Sequence, residues 1–185
     1  MFNEKEVVTK ILNGDMGAFE SLVLQYERLV YVVVNRLVPE QEDVEDICQE
    51  VFIKVHKSLF RFRFQSKLST WIARIAYFTS INYLKKHKKE LQIDYPEDLE
   101  NYHFTNDTPE LLLAQKDVAR YIEQLVLQLP AKYRTVITLY HLHSFSYEEI
   151  GEVTGMPLGT IKNYLFRARK LLKEKIEIYL KDELI

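Results

Sequence analysis

An all-α fold is what this sequence predicts, and three observations carry the prediction. Apolar residues recur at helical spacing along almost the whole chain. Glycine and proline number only five each among 185 residues, too few for a turn-rich β fold. Hydrophobic residues make up 47% and charged residues 28%, the balance of a globular chain rather than a disordered one. That length holds one medium domain or two small ones.

The elements follow in order. Asn13-Gly14 closes a short first helix, and Asp15 stands where the next is capped. The second helix carries Phe19, Leu22, Val23, Tyr26, Val30, Val33, Val34 and Leu37 and ends by Pro39. Asp43 opens a third, with Val44, Ile47, Val51 and Val55 on one face and Asp46, Gln49 and Glu50 on another. After Phe60-Arg61-Phe62-Arg63-Phe64, Ser69 or Thr70 starts a fourth, which runs through Trp71, Ile72, Ile75, Ala76, Ile81 and Leu84 into a lysine run. Residues 91–109 hold two prolines, several acids and no sustained period, and read as a flexible linker. Thr108-Pro109-Glu110 then has the cap, first-turn proline and acid of a helix start, and Pro130 divides the helices that follow. The chain therefore divides into a helical domain over 1–90, the linker, and a second helical domain over 110–185.

The net charge of −2 is a poor start for nucleic-acid binding, but its distribution matters more than its sum. Acids gather at Glu40, Glu42, Asp43, Glu45, Asp46 and Glu50, and again from Asp94 to Glu110. Bases gather at Lys85, Lys86, Lys88 and Lys89, and at Lys162, Arg167, Arg169, Lys170, Lys173 and Lys175. Two basic patches separated by acidic segments suggest two nucleic-acid contacts and at least one other partner. The lone Cys48 cannot form an internal disulfide and suits a reducing, cytoplasmic compartment. The charged N-terminus lacks the apolar core of a secretory leader, and the longest apolar stretch, Leu29 to Val34, is far too short to cross a bilayer. His141 and His143, two apart on a helix, point to different sides, and no metal-binding motif accompanies them. With no phosphate loop and no activating partner for Cys48, the sequence reads as neither an enzyme nor a holder of a metal or cofactor.

The most informative stretch runs from Ser146 to Lys170. Ser146 and Glu149 have the spacing of a capping box, Ile150 and Val153 give a short helix its buried face, and Gly155 suits the left-handed closing position. The next helix turns Ile161, Leu165, Ala168 and Leu172 inward and presents Lys162, Asn163, Phe166, Arg167, Lys170 and Lys173 elsewhere. A capped helix, a tight turn and a second helix with a basic outer face form a helix-turn-helix, whose second helix enters the major groove. There lysine and arginine neutralise phosphates, while asparagine and arginine also read base edges.

Leu129-Pro130, Tyr133-Arg134, Ser146-Tyr147-Glu148-Glu149-Ile150-Gly151, Gly159-Thr160-Ile161-Lys162 and Leu165-Phe166-Arg167-Ala168-Arg169 together closely resemble region 4 of the extracytoplasmic-function (ECF) sigma factors of the sigma-seventy family. Ala18-Phe19, Leu22 and Asp43 through Phe52 resemble the region 2 core, and Ser69 through Ala76 with Asn82-Tyr83-Leu84 its promoter-opening part. The resemblance covers nearly the whole chain in the right order.

It implies an alternative sigma factor that binds core RNA polymerase and initiates transcription of a particular regulon. The polymerase contact falls on the third helix, at Asp43, Asp46, Gln49, Glu50 and Phe52 against the β′ clamp helices, and the β flap is a further partner. Promoter DNA meets Thr160, Lys162, Asn163, Tyr164, Phe166, Arg167 and Lys170 at the minus-thirty-five element. Phe64, Lys67, Trp71, Arg74, Asn82, Lys85 and Lys86 meet the minus-ten element where it melts. An anti-sigma factor that hides both basic faces is common in the family.

The residues make physical sense of these roles. Asp46, Gln49 and Glu50 share one turn and suit pairing with arginines. Phe62, Arg63, Phe64 and Lys67 combine rings and cations, as capture of unstacked bases requires. Phe64 is expected to be more exposed than Phe60, and Trp71 to be either a core anchor or a stacking platform. The sequence departs from the family pattern at Phe64, where glycine is common, and at Phe78, Asn163 and Tyr164, which puts the promoter sequence read in doubt. The acidic linker predicts two halves that move relative to one another. Two other readings stand beside this one: a dimeric helix-turn-helix regulator with a helical sensor domain, and a plain all-α interaction module.

Overall fold

The computed structural model describes residues 2–91 and 118–182, and among them the chain forms eight α-helices, one short 3₁₀ turn and no strand. The first half contains α1 (Glu4–Leu12), α2 (Met16–Asn35), α3 (Gln41–Ser58), the turn Leu59–Arg61 and α4 (Leu68–Leu91). The second contains α5 (Val118–Gln128), α6 (Ala131–His143), α7 (Tyr147–Thr154) and α8 (Leu158–Asp182). Most of the proposed linker, and the helix start at Thr108-Pro109-Glu110, lie outside the described residues.

Local chemistry sets the boundaries. The Asp15 carboxylate accepts the Ala18 N–H at 3.0 Å and so caps α2, whose Leu22, Tyr26, Leu29, Val30, Val33 and Val34 form the buried stripe. In α3 the stripe is Val44, Ile47, Val51 and Val55, but the helix begins two residues earlier than Asp43. Asp43 is spent elsewhere, because its carboxylate accepts the Tyr83 hydroxyl of α4 at 2.5 Å. Likewise α4 opens at Leu68, just ahead of Ser69 and Thr70, because fully buried Leu68 anchors its first turn. Pro130 fixes the entry to α6. At the far end Ser144 adopts the left-handed conformation at φ 54°, and Phe145 N–H returns to the Leu139 carbonyl.

The α4 helix is buried on an unusually wide face, with Leu68, Ile72, Ala73, Ala76, Tyr77, Thr79 and Ser80 all inside. It has neighbours on two sides. Helices α2 and α3 cover one side, and α7 of the second half covers the other. Helices of the two halves are thus in contact. Arg36 at the end of α2, 6% exposed, donates to Glu123 of α5 at 3.1 Å, and α2 also touches α6. In the second half α6 packs against α5, α7 and α8, so Tyr133, Val136, Ile137 and Leu139 are all buried.

Candidate nucleic-acid interface

The helix-turn-helix is built from its caps outward. Ser146 N–H donates to Glu149 Oε2 at 2.8 Å, and Glu149 N–H donates to Ser146 Oγ at 3.2 Å, which completes the reciprocal box at the start of α7. Gly155 closes the helix at φ +75°, where a side chain would be strained. Gly151 is the crossing point of α7 and α8. A β-carbon there would stand 3.3 Å from the Met156 carbonyl oxygen and 3.6 Å from Ile161 Cδ1. Ile161, Leu165, Ala168 and Leu172 are buried, as their spacing predicts.

On the outer side of α8, Lys162, Asn163, Phe166 and Lys170 are exposed, and Thr160 and Arg167 are half-buried. Phe166, 68% exposed, is the most exposed large apolar side chain among the described residues of the second half. Tyr164 departs from this group. It is half-buried, its ring lies 4.2 Å from that of Tyr133, and its phenol stands near Tyr77 of α4. Burial, and secondarily Tyr164, raises the Tyr77 phenol above its ordinary range. Tyr164 thus faces inward, toward α6 and α4.

A second feature of this hairpin was not visible in the sequence. Lys162 stands over the Tyr147 ring at 5.8 Å, Tyr147 stacks on Tyr140 at 5.3 Å and 22°, and Arg169 stands over Tyr140 at 4.8 Å. Arg169 also donates from Nε to His141 Nε2 at 3.1 Å. Burial, helped by Arg169, lowers the His141 pKa, which keeps the ring neutral and able to accept. Two cations and two rings, drawn from α6, α7 and α8, therefore form one array, the stacked rings lying between the cations.

The loop before α4 is organised by Phe62. This residue is buried, with its ring 4.7 Å from Phe64 and 5.3 Å from Trp71. Trp71 is half-buried in that stack. The expected exposure order of Phe60 and Phe64 is reversed: Phe60 is 57% exposed and Phe64 41%. Phe64 folds back on Phe62, which buries part of it, while Phe60 sits on the outer side of the 3₁₀ turn beside Arg61. Phe64 also has a φ of 54°, a left-handed conformation uncommon for a bulky side chain. Farther along α4, Asn82, Lys85 and Lys86 are exposed.

Two of the cations singled out in this region meet the second half. Lys67 pairs with Glu149 at 2.9 Å, and Arg74 Nη1 donates to the Glu152 carbonyl while its guanidinium covers Phe78. On α3, Asp46, Gln49 and Glu50 form an exposed face, with Glu50 paired to Lys54 at 2.6 Å, and Phe52 is half-buried behind them. Cys48 is half-buried; burial, with Glu45, pushes its thiol up to about 11, the opposite of an activated nucleophile.

Residues 22–90 match the family described as Sigma-70 region 2, and residues 119–172 match Sigma-70, region 4. The chain is 35% identical to the ECF RNA polymerase sigma-E factor of Haemophilus influenzae, over 94% of this chain and 95% of that one. The chain belongs to the sigma-70 family, among its ECF sigma factors. It is also 30% identical to the RNA polymerase sigma-H factor of Pseudomonas aeruginosa, over 97% of this chain and 96% of the relative. In fold it is similar to the sigma factor RpoE of Bartonella quintana, solved with the anti-sigma factor NepR. That likeness has a TM-score of 0.68 at 21% identity and covers 86% of this chain and 97% of that one. The family is one of transcription initiation factors that act with RNA polymerase, and this sigma factor carries its two hallmark regions in order. Among the described residues, no helix is long and apolar enough to cross a membrane.

Proposed function

We propose that this sigma factor divides its work among three surfaces. The acidic face of α3, with Asp46, Gln49 and Glu50 exposed and Asp43 and Phe52 behind, engages the β′ clamp helices of core polymerase. The segment from Phe64 to Lys86 takes up the melted minus-ten element, and α8 reads the minus-thirty-five element while its domain meets the β flap. One observation carries this reading: two separately matched regions put acidic, aromatic-basic and basic surfaces on different helices of one chain. Promoter opening is then driven by binding energy and not by chemistry within this chain, so the protein is no enzyme and needs no cofactor. We place it in the cytoplasm, held in reserve by an anti-sigma factor. The boundaries 1–90, 91–109 and 110–185 are the domain limits that this division implies.

Capture of core polymerase, followed by transcription from a genomic promoter library, tests the assignment. Specific start sites are expected. Dimeric binding to a palindromic site without polymerase capture would replace it with a helix-turn-helix regulator. Charge reversal at Arg167 should weaken promoter binding and spare polymerase binding, and reversal at Asp46 or Glu50 should do the opposite. Equal losses in both assays would refute the division of labour.

A further inference from the structure

The array of Lys162, Tyr147, Tyr140 and Arg169, two stacked rings flanked by cations, has no explanation in core packing alone. Both tyrosines are half-buried and both cations are exposed, so the array lies at the surface. Lys162 and Arg169 are seven residues apart on α8, two helical turns, and so share one side of the helix. The rings that meet them come from other elements, Tyr147 from the first turn of α7 and Tyr140 from the last turn of α6. Each cation therefore has an aromatic face beneath it within the range where the ring quadrupole attracts it. His141 adds a hydrogen bond that fixes the plane of the Arg169 guanidinium.

We propose that Tyr147 and Tyr140 are positioning residues for DNA binding: their stack holds Lys162 and Arg169 at a fixed spacing to meet backbone phosphates. This adds Arg169 to the DNA-contacting surface, and it rests on the reading of α8 as the upstream DNA reader. Long cationic side chains lose rotamer freedom when they grip a phosphate. A side chain already held over a ring loses less on binding. The ring faces supply this hold, and the tyrosine hydroxyls take no part in it.

The test uses the full chain and a mixed-sequence duplex of about 30 base pairs, because phosphate contacts are independent of sequence. Tyr147→Leu is expected to weaken binding about fivefold, the scale of one cation–ring contact. Tyr147→Phe should bind as the parent does. In a Lys162→Gln background Tyr147→Leu should weaken binding no further, since its effect passes through Lys162. Tyr140 and Arg169 should behave as a second such pair, and Arg169→Gln should lower the salt slope of binding by about one. If Tyr147→Leu loses helical content, Tyr147→Met, similar in bulk but without a ring face, takes its place in the same cycle. The proposal is overturned if the leucine variants bind normally, if phenylalanine fails as leucine does, or if the loss persists undiminished without Lys162. Failure of the α8 reading looks different: Arg167→Glu and Lys170→Glu would then leave duplex binding unchanged too.

Discussion

The Lys67 ammonium stands 2.9 Å from the Glu149 carboxylate, so one ion pair bridges the two halves of the sigma factor at its helix-turn-helix. The same carboxylate completes the α7 capping box. Burial pushes Glu149 upward, but the Ser146 N–H and Lys67 outweigh it and hold the carboxyl below its ordinary range. A lowered carboxylate contributes stability above its unfolded pKa and loses it as pH falls through the folded value. The Glu149 contribution should therefore hold steady above about pH 5 and be lost below it, a loss that Glu149→Gln should lack. Glu149→Ala, which also removes the cap, should cost about 1–2 kcal/mol in urea titrations, whereas Lys67→Gln, at an exposed side chain, should cost less.

Arg36 and Glu123 make a second bridge of different character. The Arg36 side chain is 8% exposed and that of Glu123 61% exposed, so the pair is buried on one side only. Removing the carboxylate leaves a buried guanidinium short of an acceptor, whereas replacing the arginine leaves a carboxylate that water can satisfy. Glu123→Ala should thus cost about 1–2 kcal/mol. Arg36→Met, which keeps the apolar stem, should cost less. X-ray scattering of Glu123→Ala should report a larger radius than the parent if this bridge helps hold the halves together. An unchanged radius would assign closure to the α4–α7 contact instead.

Individual helices were legible in the sequence because each is set by local signals. The capping box at Ser146, the left-handed Gly155 and the buried faces of α3 and α8 follow from spacing within a few residues. Contact between the halves was not legible. Glu149 and Glu152 have the look of an ordinary polar helix face, and their partners Lys67 and Arg74 lie far away in the chain. Tyr164 enters the reading only among the promoter contacts that the resemblance implies, and its half-buried packing against Tyr133 involves a neighbour that helix periodicity cannot specify. The Tyr140–Tyr147 stack escaped for the same reason: its two rings sit on separate helices joined by a bend.

Phe64 sets a backbone cost against a packing gain. Its φ of 54° favours glycine, yet its ring contacts Phe62 at 4.7 Å. Phe64→Gly gains about 1 kcal/mol from the backbone and loses a similar amount from the ring pair. Thermal stability should move by less than about 1 kcal/mol in either direction. Promoter opening, followed by permanganate reactivity of unpaired thymines, should fall severalfold if the ring captures bases. Full opening with glycine would show that Phe64 is only a loop filler.

His141 and His143 give the second half a dependence on mildly acidic pH. Burial is the main cause of both lowered pKa values, with Arg169 acting on His141 and Arg28 on His143. Both pKa values lie below the 6.5 of an unfolded histidine. As pH falls through that value the unfolded chain takes up protons that the folded chain resists, so stability must decrease. Protonated His141 also ceases to accept from Arg169 and repels it. Urea titrations between about pH 8 and pH 5.5 should show the midpoint falling. Replacing both histidines with asparagine should flatten that slope, because asparagine carries no titrating group in this range. A slope that survives the double replacement would place the acid sensitivity elsewhere in the fold.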